Sequence, residues 1–198
     1  MLIQSKRLET GIISDRRALL RGVGTLGLSA AAVAILGGCE SMAASTSASA
    51  ADVDILNVAL GLEHEPIGAY QLGAESGVLQ KPVLDTAVLF QSHHKAHRDA
   101  LISTIQKMGG KPVAEKSLDE YAKALNAASL KSQADVLTLA AKLELGATNA
   151  YLGVIPAFKE GKLGQVAARL AADETMHWTA LSSALGKSLP TGALTFGA

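Results

Sequence analysis

Leu143-Glu144-Leu145-Gly146-Ala147-Thr148-Asn149-Ala150-Tyr151 repeats the spacing of an earlier stretch, in which Leu62-Glu63 is followed by Ala69-Tyr70 at an offset of 81 residues. A second pair follows it. His97-Arg98-Asp99-Ala100-Leu101 recurs as His177-Trp178-Thr179-Ala180-Leu181 at an offset of 80. Two motifs repeated in one order at nearly one offset imply two similar halves. Around each motif the apolar residues recur every three or four positions, the period of one helix face. Each half therefore reads as a pair of helices, and the whole as a pseudo-twofold four-helix bundle.

Working outward, the first helix is expected from Asp52 to about Ser76, with Leu56, Ala59, Leu60, Ile67 and Tyr70 on its buried face. The second starts after Pro82, a good first-turn residue, and ends at Met108 before Gly109-Gly110. Its face carries Leu84, Val88, His94, His97, Leu101, Ile105 and Met108. The third, about Ser132 to Lys159, carries Leu137, Ala140, Glu144, Ala147, Tyr151, Ile155 and Phe158; the fourth, about Leu163 to Leu185, carries Val166, Leu170, Glu174, His177 and Leu181. Between the second and third, Leu118, Tyr121 and Leu125 place a short helix inside a long crossover, as expected where two hairpins join into one bundle. Composition agrees: hydrophobic residues make up 48% of the chain but aromatics only 4%, which favours helices packed through Ala and Leu.

The 198 residues carry 18 basic and 18 acidic side chains, so no net field draws the chain to nucleic acid or an anionic surface. The N-terminal segment reads as an export signal. Arg16-Arg17 precede an apolar, glycine-rich run that ends in Leu36-Gly37-Gly38-Cys39. The arginine pair resembles a twin-arginine signal, although Asp15 stands where Ser or Thr is usual, and Leu-Gly-Gly-Cys resembles a lipobox whose Cys39 takes the lipid. Residues 1–39 are thus expected to be a lipoprotein signal peptide, 40–51 a flexible Ser/Ala-rich linker, 52–186 the bundle and 187–198 a tail. Cleavage after Ala48-Ser49-Ala50 is the alternative, which discards Cys39 and leaves a soluble periplasmic protein. Either route puts the domain in the cell envelope.

Charged groups lie on every buried stripe. An ionised carboxylate in a low-dielectric core costs several kcal/mol unless it is paired, protonated or bound to a cation. No Lys or Arg shares a stripe with Glu63, Glu144 or Glu174, so a divalent cation is the simplest compensating charge. Glu174-x-x-His177 sets an oxygen and a nitrogen donor on one helix face. In the alternative, with no metal, His94 bonds Glu174 across the core, while Glu63 and Glu144 are protonated or paired with His97 and His177. His64, Glu65 and His93 sit beside the ligand stripe, facing solvent or neighbouring helices; a different local register would recruit His93 in place of His94.

On these motifs residues 52–186 resemble the ferritin-like superfamily, closest to exported bacterial ferritin-like domain proteins and, in motif, to rubrerythrin. The resemblance implies an all-α four-helix bundle with a long crossover between helices two and three, in which two helices each supply a Glu and the other two each a Glu-x-x-His. It makes Glu63 and Glu144 terminal ligands, Glu174 a bridging carboxylate, His97 and His177 nitrogen ligands, and Tyr70 and Tyr151 donors that orient the carboxylates. It further implies one or two ions of iron and oxidase- or peroxidase-type chemistry, with Mn, Zn and Cu still open. One position departs from the pattern: His94 stands where a bridging Glu is expected. Imidazole has one lone pair, so the centre is expected to lose a bridge and a negative charge, with His94 as a terminal ligand. That departure keeps a second reading open, a lipid-tethered, non-catalytic bundle with a degenerate site that acts through partners.

Overall fold

In the computed structural model, which describes residues 44–193, every element is helical. The chain forms α1 (Ala44–Glu75), α2 (Lys81–Lys107), α3 (Leu118–Ala124), α4 (Gln133–Val154) and α5 (Gly161–Ala184), with single 3₁₀ turns at Ala127–Ser129 and Ile155–Ala157. Arg16, Arg17 and Cys39, and with them the signal-peptide and lipidation expectations, lie outside the described residues. Among the described residues no helix is long and apolar enough to cross a membrane.

The four long helices are the four expected from the sequence. α1 packs on α2 and α4 on α5, and α1 also packs on α4. The directions follow from side-chain pairs: Glu63 meets Tyr151 while Tyr70 meets Glu144, so α1 and α4 are antiparallel. Likewise His97 meets Asp173 while His93 meets His177, which makes α2 antiparallel to α5. Helices one and three can oppose each other only if the link between α2 and α4 runs the length of the bundle, and it does so along α1. Asn57 bonds the backbone of Lys111 and Val113, His64 Nε2 approaches the Val113 carbonyl at 3.3 Å, and Gly68 lies under the ring of Tyr121. A Cβ at Gly68 would sit 2.7 Å from Tyr121 Cδ2, so only glycine lets the buried Tyr121 seat there.

Local signals explain most of the boundaries. Gly109 (φ 78°) and Gly186 (φ 69°) follow α2 and α5 in the left-handed region that ends helices. Ser117 and Glu120 form a reciprocal capping box on α3, and the Ser132 side chain accepts the Asp135 amide at the start of α4.

Four expectations need correction. α1 starts at Ala44, inside the stretch read as a linker: alanine is the strongest helix former, and buried Asp52 accepts the amides of Lys159 and Glu160 at 2.9 and 3.1 Å, tying this end of α1 to the start of α5. α4 stops at Val154, short of Lys159: Pro156 has no amide hydrogen to continue the ladder, and the chain passes through a 3₁₀ turn at Ile155–Ala157 before Phe158 becomes extended. Val88 and Val166, placed on the buried stripes, are 53% and 42% exposed. His64, expected beside the stripe, is buried, covered by the crossover that the sequence pattern did not place over it.

The core has two apolar clusters. One gathers Leu56, Leu60, Leu101, Ile105, Tyr151, Leu163 and Leu170; the other gathers Tyr70, Ala87, Phe90, Leu137 and Leu181. Fully enclosed side chains such as Leu60 and Ile105 contribute about 1.5–3 kcal/mol each by burial. Glu63, His94, Glu144, Glu174 and His177, each no more than 1% exposed, form a polar layer within this core.

Candidate metal centre

Each long helix supplies this layer from the stripe its apolar neighbours define: Glu63 from α1, His94 and His97 from α2, Glu144 from α4, Glu174 and His177 from α5. Two overlapping groups result, Glu63, His94, His97 and Glu174, and His94, Glu144, Glu174 and His177. In each, one donor atom per residue lies within 4.8 Å of the others. We call these the first and second half-sites; they share His94 and Glu174.

The detailed contacts follow the pseudo-twofold. His97 Nδ1 lies 3.2 Å from Glu174 Oε1 and 3.5 Å from Glu63 Oε2. His177 Nδ1 lies 3.2 Å from Glu174 Oε2 and 3.3 Å from Glu144 Oε2. His94 Nδ1 is 2.8 Å from Glu63 Oε2, and its Nε2 is 3.2 Å from Glu144 Oε1. The metal-free pairing expected between His94 and Glu174 is the longer contact, 3.7 Å, because the ring turns its nitrogens to the two terminal carboxylates instead.

Beyond these six residues a further set orients them. Tyr70 donates to Glu144 Oε1 at 2.5 Å and Tyr151 donates to Glu63 Oε1, so each tyrosine serves the carboxylate of the opposite hairpin. On the outer side His97 Nε2–H donates to Asp173 Oδ2 at 3.1 Å, while His177 Nε2 is hydrogen-bonded to His93 Nδ1 at 3.0 Å. Asp173 and His93 back the two histidines of the layer, at positions that the sequence pattern left out or set aside. His93 does not replace His94; it is half-buried and stacks on His177, with ring centroids 5.2 Å apart. The available signal was that each immediately precedes a member of a ligand stripe.

The electrostatics reflect mutual compensation. Burial alone would raise Glu63 and Glu144 and lower the histidines. The hydrogen bond with His94, and the His97 ring 3.5 Å away, instead hold Glu63 below 4.5, and hydrogen bonds with His177 and His94 do the same for Glu144. Burial would depress His94, but Glu144 and Glu63 hold it up at about 10; burial would likewise depress His97, and Glu174 and Glu63 raise it to about 10. Glu174 is raised, chiefly by burial. Burial, with the Glu144 and Glu63 charges added, keeps the Tyr70 and Tyr151 hydroxyls protonated well above their ordinary range.

The donor set fits a divalent cation. Donors around one ion at about 2.1 Å stand about 3.0–3.5 Å apart, and the principal contacts within each half-site fall in or near that interval. His97 Nδ1 and Glu174 Oε1 are buried 3.2 Å apart, yet neither has a hydrogen-bond partner. Two donor atoms directed at one space without bonding each other are better satisfied by a shared cation than by each other.

A family model of the ferritin-like domain matches residues 51–187. A search of the curated proteins finds no match. Among solved structures, the crystal structure of a conserved hypothetical protein from Mycobacterium tuberculosis is similar, with a TM-score of 0.59 at 21% identity, over 74% of this chain and 99% of that one. At that identity the likeness is one of fold. With the family match spanning the bundle and its carboxylate and histidine layer, the chain belongs to the ferritin-like domain family.

Proposed function

We propose that this protein is an exported metalloprotein of the cell envelope, tethered through Cys39, that holds iron in the polar layer for redox chemistry on dioxygen or peroxide. The observation that carries the metal reading is the pair of overlapping groups, six buried or nearly buried donors of which two are shared. Iron bound there supplies electrons for the reduction. The chain's own residues do the rest: Tyr70 and Tyr151 fix the carboxylates, and the apolar clusters limit access of bulk water. Export rests on Arg16-Arg17 and the run ending at Cys39, a signal type that carries folded, metal-loaded proteins.

The second reading, a metal-free bundle that works through partners, draws on one observation. Three carboxylates face three imidazoles, so protonated His94 and His97 can compensate the buried charge themselves. Elemental analysis of the purified full chain, followed by Fe(II) titration, separates the two. Bound metal that is lost in Glu174→Ala supports the first reading, and peroxide consumption is then the assay. Failure to bind Fe(II), Zn(II) or Co(II) leaves the second. Cys39→Ser, followed by membrane fractionation, tests the tether: release into the soluble fraction is expected, and unchanged partitioning would remove lipidation from the proposal.

A further inference from the structure

The three histidines of the layer are not oriented alike. His97 and His177 each turn Nδ1 inward to the carboxylates and Nε2 outward, to Asp173 and His93 respectively. His94 has no outward nitrogen. Its Nδ1 faces Glu63 of the first half-site at 2.8 Å, and its Nε2 faces Glu144 and Glu174 of the second at 3.2 and 3.7 Å. Glu174, its counterpart on α5, divides its donors in the same way, with Oε1 toward His97 and Oε2 toward His177. The ring of His94 is fully buried and held from several sides, tilted 30° against Tyr70 at 5.6 Å and edge-on to His97 at 5.9 Å. A flipped ring would present carbon to both carboxylates, so neighbouring rings and acceptors select one orientation.

We propose that His94 bridges the two half-sites, giving one ring nitrogen to each, so that the centre holds two ions joined by an imidazolate on one side and the Glu174 carboxylate on the other. This rests on the metal reading above. A neutral imidazole has one lone pair and one N–H; when a second cation takes the protonated nitrogen, that proton leaves to solvent and the ring becomes an anion with two in-plane lone pairs. The anion restores both features that a His at this position removes, the bridge and the negative charge. Nitrogen donors then number four, one each from His97 and His177 and two from His94, which biases the pair toward Zn(II), Cu(II) or Fe over Mn(II).

The test is ¹⁵N NMR of the full chain with labelled histidine, titrated with Zn(II), which is diamagnetic and redox-inert. The expected result is two Zn(II) per chain and one ring, absent from the spectrum of His94→Gln, in which neither nitrogen carries hydrogen. His94→Gln should weaken both ions by more than the about 10–100-fold that loss of an outer hydrogen-bond partner causes. His94→Glu, which supplies two oxygens in place of two nitrogens, should recover a stoichiometry of two and guards against a merely unfolded His94→Gln. A His94 ring that keeps an N–H at saturation, or a single bound Zn(II), overturns the bridge while leaving a metalloprotein. No binding of Zn(II), Fe(II) or Co(II) removes both.

Discussion

The two half-sites are copies of one pattern whose outer partners differ in charge. In the first, His97 is backed by the Asp173 carboxylate; in the second, His177 is backed by the His93 imidazole. The offset of 80 residues that relates His97 to His177 also relates His93 to Asp173 and His94 to Glu174. Both acidic positions of α5 are therefore histidines on α2. Within the polar layer and its outer partners the halves differ only at these α2 and α5 positions, while Glu63 and Glu144, and Tyr70 and Tyr151, keep their types. A carboxylate behind a ligating imidazole raises its basicity and fixes its tautomer. A neutral imidazole fixes the tautomer but adds no charge. On this ground the first half-site should be the tighter one, filling before the second.

The largest expected effect comes from a residue that belongs to both. Glu174→Ala removes an oxygen from each half-site and should abolish binding of both ions, whereas Glu63→Ala and Glu144→Ala should each remove one. Metal-to-protein ratios after dialysis report this directly. A Glu174→Ala protein that still holds one ion would show that the halves are independent and that the shared arrangement has no consequence for binding.

Next in size is the behaviour of the metal-stripped protein with pH. His94 and His97 are held at about 10 when folded, by Glu144, Glu63 and Glu174, against about 6.5 for an unfolded histidine. The folded state then binds more protons than the unfolded one between those values, so stability falls as pH rises. The contribution is complete below about 6.5 and lost on passing about 10. Glu63 and Glu144, held below 4.5, give the opposite limb: their contribution is present above 4.5 and lost as the pH drops. Urea midpoints measured across the alkaline limb should decline, and His97→Gln should flatten the decline by removing one of its two main sources. Saturating metal should abolish it, because an imidazole that gives its lone pair to an ion cannot take up the second proton whose loss sets the decline. A flat alkaline limb in the metal-free protein would mean that these histidines are neutral when folded.

The tyrosines come third, and they invert the naive assignment by hairpin. Tyr151 lies on α4 but serves Glu63 of the first half-site, and Tyr70 lies on α1 but serves Glu144 of the second. Each Phe substitution should weaken one ion by about 10–100-fold, the range for an outer partner: Tyr151→Phe the first, Tyr70→Phe the second. Stepwise Co(II) absorption in the two variants distinguishes the crossed assignment from the uncrossed one.

Much of this centre was legible in the sequence, and the reasons are specific. Carboxylates on apolar helical stripes stand out because burial makes them costly, so Glu63, Glu144 and Glu174 were identified together with the four helices that carry them. The spacing of seven between Glu and Tyr recurs twice, which pointed to Tyr70 and Tyr151. What periodicity did not reveal lies off the stripes or depends on ring orientation. Asp173 and His93 sit at the layer's outer edge, where a polar residue is unremarkable by pattern. The direction of the His94 nitrogens is a torsion angle, set by Tyr70, His97 and the two terminal carboxylates at once, and one-dimensional spacing carries no such information. The early start of α1 was hidden for a different reason. Its Ser/Ala composition suits a tether or a helix equally, and the Asp52 contacts to the start of α5 are tertiary.

The smallest effect is the most informative about the difference between the halves. Asp173→Asn keeps a hydrogen-bond acceptor for His97 but removes the charge, and should weaken the first ion by about 10-fold, the lower end for an outer partner. His93→Asp performs the reverse exchange on the second half-site and should tighten the second ion by a similar factor. The double variant would then invert the order of filling while leaving the number of ions unchanged. Calorimetric titration with Zn(II) resolves the two steps when their affinities differ by that much. If neither substitution moves its own step, the inequality between the half-sites must reside in the shared layer of His94 and Glu174 and not in what stands behind the terminal histidines. The asymmetry inherited from α2 would then act through the bridge position alone.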